Sequence, residues 1–163
     1  MTAVRDSSAL LVQNGSSPVR DVVAILDREP ADIFVRLSLH ALALDPSSAP
    51  DLATAKLLDE GLIEQGWSNA EYPALALAWF PSLAAEDRAG VFRVLDAIPG
   101  KYVDWWTARF EKETGKPPAA EDIQRFNIGC VRDLCWKWRD SPPKERREAI
   151  EEAGDPNAWH HSF

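Results

Sequence analysis

Residues 119–139 read "AAEDIQRFNIGCVRDLCWKWR", and this stretch decides between a helical and a sheet fold. On a helix that turns about 100° per residue, its apolar side chains form one continuous arc about 200° wide. The arc extends over about five turns and includes Ile123, Leu134 and Trp138. A strand would divide these side chains between two faces. The stretch therefore predicts a helix over 119–139, packed on two sides, with Trp138 in the core.

Helix signals recur along the rest of the chain, and the alternation typical of strands is nearly absent. Ser68 and Glu71 match the capping-box pattern and predict a helix start near 69. Gly115, followed by two prolines, predicts a helix end. We predict an all-α fold of about eight helices, over 18–29, 31–45, 51–65, 69–80, 84–97, 101–114, 119–139 and 142–153. The predicted domain organisation is a flexible N-terminal segment (1–17), a single helical domain (18–153) and a C-terminal tail (154–163).

Alternate predicted helices begin near residues 18, 51, 84 and 119, a nearly constant spacing. This spacing predicts antiparallel helix pairs stacked as an α-solenoid. Any chain of short helices joined by short turns would also produce it, so an irregular helical bundle is the alternative. The helix pairs resemble HEAT-type repeats at the level of architecture, without a diagnostic motif. The resemblance implies a protein-binding scaffold and assigns no site residues.

The charge of the chain is unevenly distributed. The formal net charge is −8, which disfavours general nucleic-acid binding because that requires neutralisation of phosphates. Residues 1–100 hold seven Lys or Arg and fourteen Asp or Glu, a net charge of −7, whereas residues 101–163 hold eleven and twelve, a net charge of −1. The acidic half is suited to a basic partner, although acidity also serves solubility.

The cysteines and the hydropathy of the sequence indicate in which cellular compartment the protein is expected. Cys130 and Cys135 lie about 140° apart on the predicted helix, which disfavours a disulfide and predicts two buried structural thiols. No apolar stretch approaches the roughly 18 residues that a membrane span requires, and the first residues do not read as a signal peptide. We therefore expect a cytoplasmic protein that does not bind membranes.

Candidate catalytic and metal-binding residues are few. His40 lies within a predicted helix with no nucleophile or acid spaced to assist it, so a structural role is expected. His160 and His161 are adjacent near the end of the chain and lack further ligands at metal-site spacing. The glycines are scattered and form no phosphate-binding loop. We predict no catalytic residue, no cofactor and no metal site, and an unrecognised helical enzyme is the least favoured reading.

Two tryptophans fall outside the apolar stripes of their predicted helices. Trp136 lies on the charged face of helix 119–139, four residues after Arg132. Trp105 lies about 100° from the stripe of helix 101–114, four residues before Arg109. Tryptophan and arginine are enriched at interface hot spots. The four residues are therefore predicted to bind a partner, while packing within the chain and stacking on a nucleotide base remain alternatives.

The predicted function follows from the fold class and these four residues. We expect a non-catalytic helical protein–protein interaction module or adaptor whose partner is another protein. The alternative is an acidic inhibitor or immunity-type protein that neutralises a basic toxin or nuclease. The two differ in salt dependence, because an acidic surface bound to a basic partner loses affinity steeply with salt.

Overall fold

The structure, a computed structural model, describes residues 18–66 and 70–156. These residues form eight α-helices and no strand, which confirms the predicted all-α fold. The predicted N-terminal segment (1–17), Ser68 of the predicted capping box and the last seven residues of the predicted tail lie outside the described residues. The helices are α1 Val19–Leu26, α2 Asp32–Leu44, α3 Pro50–Leu58, α4 Glu60–Gln65, α5 Glu71–Trp79, α6 Ala85–Thr114, α7 Ala120–Cys135 and α8 Lys144–Glu152.

Helices α1 to α5 and the first half of α6 pack around one hydrophobic core. We call this part of the molecule the body. The most extensive packing joins α2 to α5, and α3 packs against both α5 and α6. The fully buried side chains include Leu42, Leu57 and Leu95 from three different helices. Burial of such side chains contributes about 1.5–3 kcal/mol each. The core therefore depends on helices that are distant in the sequence.

An aromatic cluster joins the end of α7 to the body. The ring of Phe80, just after α5, lies 5.2 Å from the Trp138 ring and 5.5 Å from the Phe92 ring of α6. Trp138 is 1% exposed, which confirms its predicted core position. Its indole N–H donates a 3.0 Å hydrogen bond to the Leu134 carbonyl, so burial of the ring leaves no unsatisfied donor.

A part-buried ion pair crosses the interface between α2 and α5. The Arg36 guanidinium donates two 3.0 Å hydrogen bonds to the Glu71 carboxylate, and Glu71 is buried. Burial alone would raise the pKa of Glu71, but the hydrogen bonds and charge of Arg36 outweigh burial and lower it. The carboxylate is therefore ionised at neutral pH and holds the two helices in register.

The sequence prediction fails at residues 98–100, where it ends one helix and begins another. The structure has a single 30-residue helix, α6, with Pro99 inside it. A proline within a helix removes one backbone hydrogen bond and disfavours the helix by about 3 kcal/mol. Ile98 and Pro99 are buried here, and the next turn is tied to α4, so tertiary packing outweighs the local preference.

Two further boundaries differ from the prediction. The predicted helix 51–65 is divided at Asp59, whose carboxylate accepts a 3.0 Å hydrogen bond from the Leu62 N–H and so caps α4. The predicted helix 119–139 ends at Cys135, and residues Trp136–Trp138 form a 3₁₀ turn. The tighter turn changes the direction of the two tryptophans relative to α7.

Candidate interaction surface

A helical hairpin extends beyond the core. No residue between 100 and 133 is buried, although the segments on both sides of this range reach the core. The range includes the second half of α6, a short turn and most of α7, and we call it the hairpin. The turn begins at Gly115, whose φ of 73° is in the left-handed region that favours glycine. The two helices of the hairpin therefore run antiparallel, with α4 beside the base of α6 and α8 beside α7. These neighbours leave every side chain of the hairpin partly or largely exposed.

An aromatic seam holds the hairpin together. The Trp106 ring of α6 stacks on the Phe126 ring of α7, with 4.8 Å between centroids and 19° between planes. Phe110 lies 5.1 Å from Trp106 on the same face of α6. All three rings are only half-buried, because solvent reaches the seam from outside. Aromatic pairs of this kind contribute about 0.5–1.5 kcal/mol beyond the area that they bury.

A second stripe runs along α6, about 90° around the helix axis from the seam residues Trp106 and Phe110. Val91, Leu95 and Ile98 form its buried part in the body. Alternating steps of three and four residues continue the same line to Tyr102, Trp105 and Arg109. We call residues 102, 105 and 109 the outer stripe. It occupies the face of α6 that is buried in the body, but lies beyond the end of the core.

The first turn of the outer stripe is covered by α4. The Lys101 ammonium lies 2.6 Å from a Glu60 carboxylate oxygen and 2.8 Å from a Glu64 oxygen. The Tyr102 hydroxyl donates a hydrogen bond to Glu64. Hydrogen bonds with these two carboxylates raise the pKa of Lys101, and the bonds from Lys101 and Tyr102 lower that of Glu64. The turn of α6 that includes Lys101 and Tyr102 is therefore bound to α4 of the body.

Trp105 lies one turn further along α6 and is exposed over 61% of its surface. The Arg109 guanidinium lies over its ring, 5.8 Å from the centroid, and donates a 2.8 Å hydrogen bond to Glu113. The predicted pairing of these two residues is present. An exposed cation–π contact of this type is worth about 0.5–1 kcal/mol, so it orients the ring without burying it.

Arg132 and Trp136, the other two predicted site residues, lie at the opposite end of α7 from the hairpin turn. Trp106 stacks on Phe126, so Trp136 is displaced from the level of Trp105 by about ten residues, roughly 15 Å along a helix. Trp136 is half-buried and packs against the core. The structure therefore does not bring Trp105 and Trp136 together.

The cation over Trp136 is also different from the one expected. The Arg139 guanidinium lies 4.4 Å from the Trp136 ring centroid, and Arg139 follows Trp136 by three residues, the spacing at which side chains of a 3₁₀ turn eclipse. Arg132 instead donates hydrogen bonds to Asp133 and, at 2.9 Å, to the Ala153 carbonyl at the end of α8. Arg132 and Trp136 thus contact other parts of the same chain.

Cavities between described residues adjoin the hairpin. A 280 Å³ cavity at the base of the outer stripe is lined by residues of α4, α6 and α7, including Tyr102 and Cys130. On the other side of α7, cavities of 190 Å³ and 600 Å³ share Ile128, Arg132 and Ala149 and separate α7 from α8. The hairpin is thus loosely covered on both sides of its seam.

The described residues include two cysteine thiols. Burial raises the pKa of the Cys130 thiol to about 11 and that of Cys135 to about 12, so both thiols are protonated at neutral pH and are poor nucleophiles. Both cysteines are free; Cys135 is buried as predicted, whereas Cys130, which was also predicted to be buried, is half-buried. Over residues 18–66 and 70–156, no group of three metal-ligating side chains lies close enough to hold an ion. The same residues contain no helix with the length and hydropathy to cross a membrane.

Comparisons of this chain with protein-family models, with curated proteins and with solved structures find no match. Any functional assignment therefore depends on the geometry of the chain itself. Sequence reasoning found Trp105 and Arg109, but it did not include Tyr102 among the predicted site residues. The alternating three- and four-residue spacing from Val91 to Arg109 is the signal that joins Tyr102 to the outer stripe.

Proposed function

We propose that this protein is a non-catalytic helical protein-interaction module that uses the outer stripe of the hairpin as its contact surface. The observation that supports this proposal is the continuation of the buried stripe of α6 past the end of the core. Tyr102 and Trp105 expose 40% and 61% of their surfaces there. Covering such apolar surface with a partner is favourable by roughly 25 cal/mol per Å².

The chemistry of the outer stripe suits recognition of another protein. Tryptophan and arginine contribute much of the energy at interface hot spots. Glu113 already orients Arg109, which reduces the side-chain entropy that binding would remove. Arg132 and Trp136 were predicted to share this surface. Because both make contacts within the chain, we assign them to holding α7 and α8 on the body and confine the contact surface to the outer stripe.

Three broader predictions belong to the same proposal: an adaptor role, a cytoplasmic location and a HEAT-like repeat architecture. The all-helical composition and the contacts of α1 with α2 and of α7 with α8 support a repeat of helix pairs. The uninterrupted α6 and the extensive packing of α2 on α5 depart from regular pairing. We therefore propose an irregular arrangement of helices that is related to HEAT-type repeats.

The acidic-inhibitor alternative has weaker support. Three carboxylates of the acidic half, Asp27, Asp51 and Glu71, already form ion pairs with cations of the same half. These contacts leave fewer carboxylates for a basic partner. We expect binding through the outer stripe to weaken less than threefold between 50 and 300 mM salt, because apolar contacts are little screened.

Site-specific photo-crosslinking in the cells that express the chain tests the proposal. A benzophenone amino acid replaces Trp105 in one version of the protein. In the control version it replaces Glu111, which is exposed on the same helix about 120° away around the axis. We expect irradiation to join position 105, and not position 111, to a discrete protein. The crosslinked product would be identified by mass spectrometry.

The proposal would be overturned if position 105 gave no product, or the same products as position 111. Thermal unfolding of both versions is a necessary control, because each must melt within a few degrees of the unmodified protein. An additional Arg109→Glu change should reduce the yield at position 105, since it removes the cation beside the binding ring. An unchanged yield would remove Arg109 from the contact surface.

A further inference from the structure

We infer that the partner of the outer stripe is a second copy of this chain, so that two hairpins associate side by side. This inference rests on the proposed function, because it names the occupant of the same surface. A hairpin of two antiparallel helices is half of a four-helix bundle, which is a common way for helices with one open face to become covered. The outer stripe supplies that open face.

The charge distribution favours a second copy over a strongly charged partner. Residues 100–133 contain six Lys or Arg and six Asp or Glu, so the hairpin has no net charge, and the rest of the chain carries the whole −8. Two bodies would repel each other on close approach. Two hairpins can meet without this repulsion, and a neutral surface gives no attraction to a polyanion or a polycation.

The order of residues along the outer stripe suits a two-fold arrangement. In a two-fold dimer each residue of the surface meets a residue of the same surface in the other copy. With the two copies of α6 antiparallel and the axis at the level of residue 107, Trp105 of each copy lies opposite Arg109 of the other. The cation–π contact that each hairpin now makes internally could then form twice across the interface, shielded from water.

The size of the hairpin limits the strength of this association. The part of α6 beyond the core is about 15 residues, or roughly 22 Å long, and two packed helices are about 20 Å wide. A face of this size covers on the order of 450 Å² per copy, below the roughly 800 Å² per partner of a standard stable interface. We therefore expect a reversible dimer, present at high concentration and dissociated at low concentration.

Sedimentation equilibrium of the purified protein between 1 and 500 μM tests this inference. We expect the average mass to rise from the monomer value of 18.1 kDa toward twice that value. Trp105→Ala should raise the concentration at which half the chains are dimeric by more than tenfold. Ile25→Ala, which shortens a side chain exposed over 63% of its surface on α1, should leave that concentration unchanged.

A mass that stays at 18.1 kDa up to 500 μM would overturn the inference, as would a dimer equally insensitive to both substitutions. Hydrogen exchange of the unmutated protein provides a test that needs no variant. Amides of 100–114 should exchange at least threefold more slowly at 500 μM than at 1 μM, while those of α2 should not change. Equal exchange at both concentrations would also overturn it. A monomer that still crosslinks through position 105 to another protein would leave the proposed function standing without this inference.

Discussion

The two halves of α6 share one continuous helix but differ in what surrounds them. The first half, up to Pro99, contains five buried residues, whereas the second half contains none. The apolar residues are not smaller in the second half, which includes Tyr102, Val103, Trp105, Trp106 and Phe110. Burial along α6 is therefore decided by how far the neighbouring helices extend. The residue types of α6 do not set it.

The largest expected effect is a difference in the free energy of unfolding between a variant of the first half of α6 and a variant of the second half. Leu95→Ala removes a fully buried side chain from the first half and should lower the free energy of unfolding by about 2–5 kcal/mol. Trp105→Ala removes a larger side chain from the second half but should lower the same quantity by no more than about 1 kcal/mol, because the ring is mostly exposed and loses chiefly its contact with Arg109. Urea denaturation followed by circular dichroism measures both.

This comparison has a matched design, since both positions lie on the same stripe of the same helix and both become alanine. A loss above 2 kcal/mol in Trp105→Ala would mean that the outer stripe belongs to the core. A loss of unfolding free energy well below 2 kcal/mol in Leu95→Ala would mean that the first half of α6 is less well packed than its burial indicates.

The second prediction uses the two thiols, one in the body and one at the base of the hairpin. Burial raises the pKa of both, so the folded chain keeps protons that the unfolded chain releases near pH 9. Stability is therefore complete below about pH 8 and falls as the pH rises toward the folded values of about 11 and 12. At pH 10 a fully buried thiol accounts for a loss of about 1.4 kcal/mol.

Single substitutions show how much of the loss of unfolding free energy at alkaline pH comes from each thiol. Cys135→Ala should reduce the loss of unfolding free energy between pH 8 and pH 10 by about 1.4 kcal/mol, because Cys135 is fully buried. Cys130→Ala should reduce it less, because solvent reaches the half-buried Cys130 thiol. Urea denaturation at several pH values gives the slopes. Equal slopes in the two variants would contradict the difference in burial.

The sequence was sufficient for those features that depend on local pattern. The arc of residues 119–139 predicted a helix and placed Trp138 in the core, and the glycine and prolines after 114 predicted the end of α6. Pairing of Trp105 with Arg109 follows from helical spacing alone. Each of these features is indicated by residues within one continuous segment of the chain.

The errors occurred where distant residues decide the structure. Pro99 lies within a helix because Ile98 is buried and Lys101 binds the carboxylates of α4, which are about 40 residues away in the sequence. Trp136 packs against the core, and the neighbouring Trp138 packs on Phe80, which is distant in the sequence. Nothing in the periodicity of either segment indicates these contacts.

The smallest expected effect comes from two glycines, one in each half of α6. Replacing a glycine inside a helix with alanine stabilises the helix by about 0.5–1 kcal/mol when there is room for the methyl group. At Gly100 no atom lies within 4 Å of the new Cβ, so Gly100→Ala should raise the free energy of unfolding by that amount. At Gly90 the new Cβ would lie 2.8 Å from the Leu58 Cδ2 atom. Displacing Leu58 should cancel the gain and leave Gly90→Ala neutral or destabilised by up to about 1 kcal/mol. Urea denaturation distinguishes these outcomes, and an equal gain at both positions would contradict the close packing of α3 on the first half of α6.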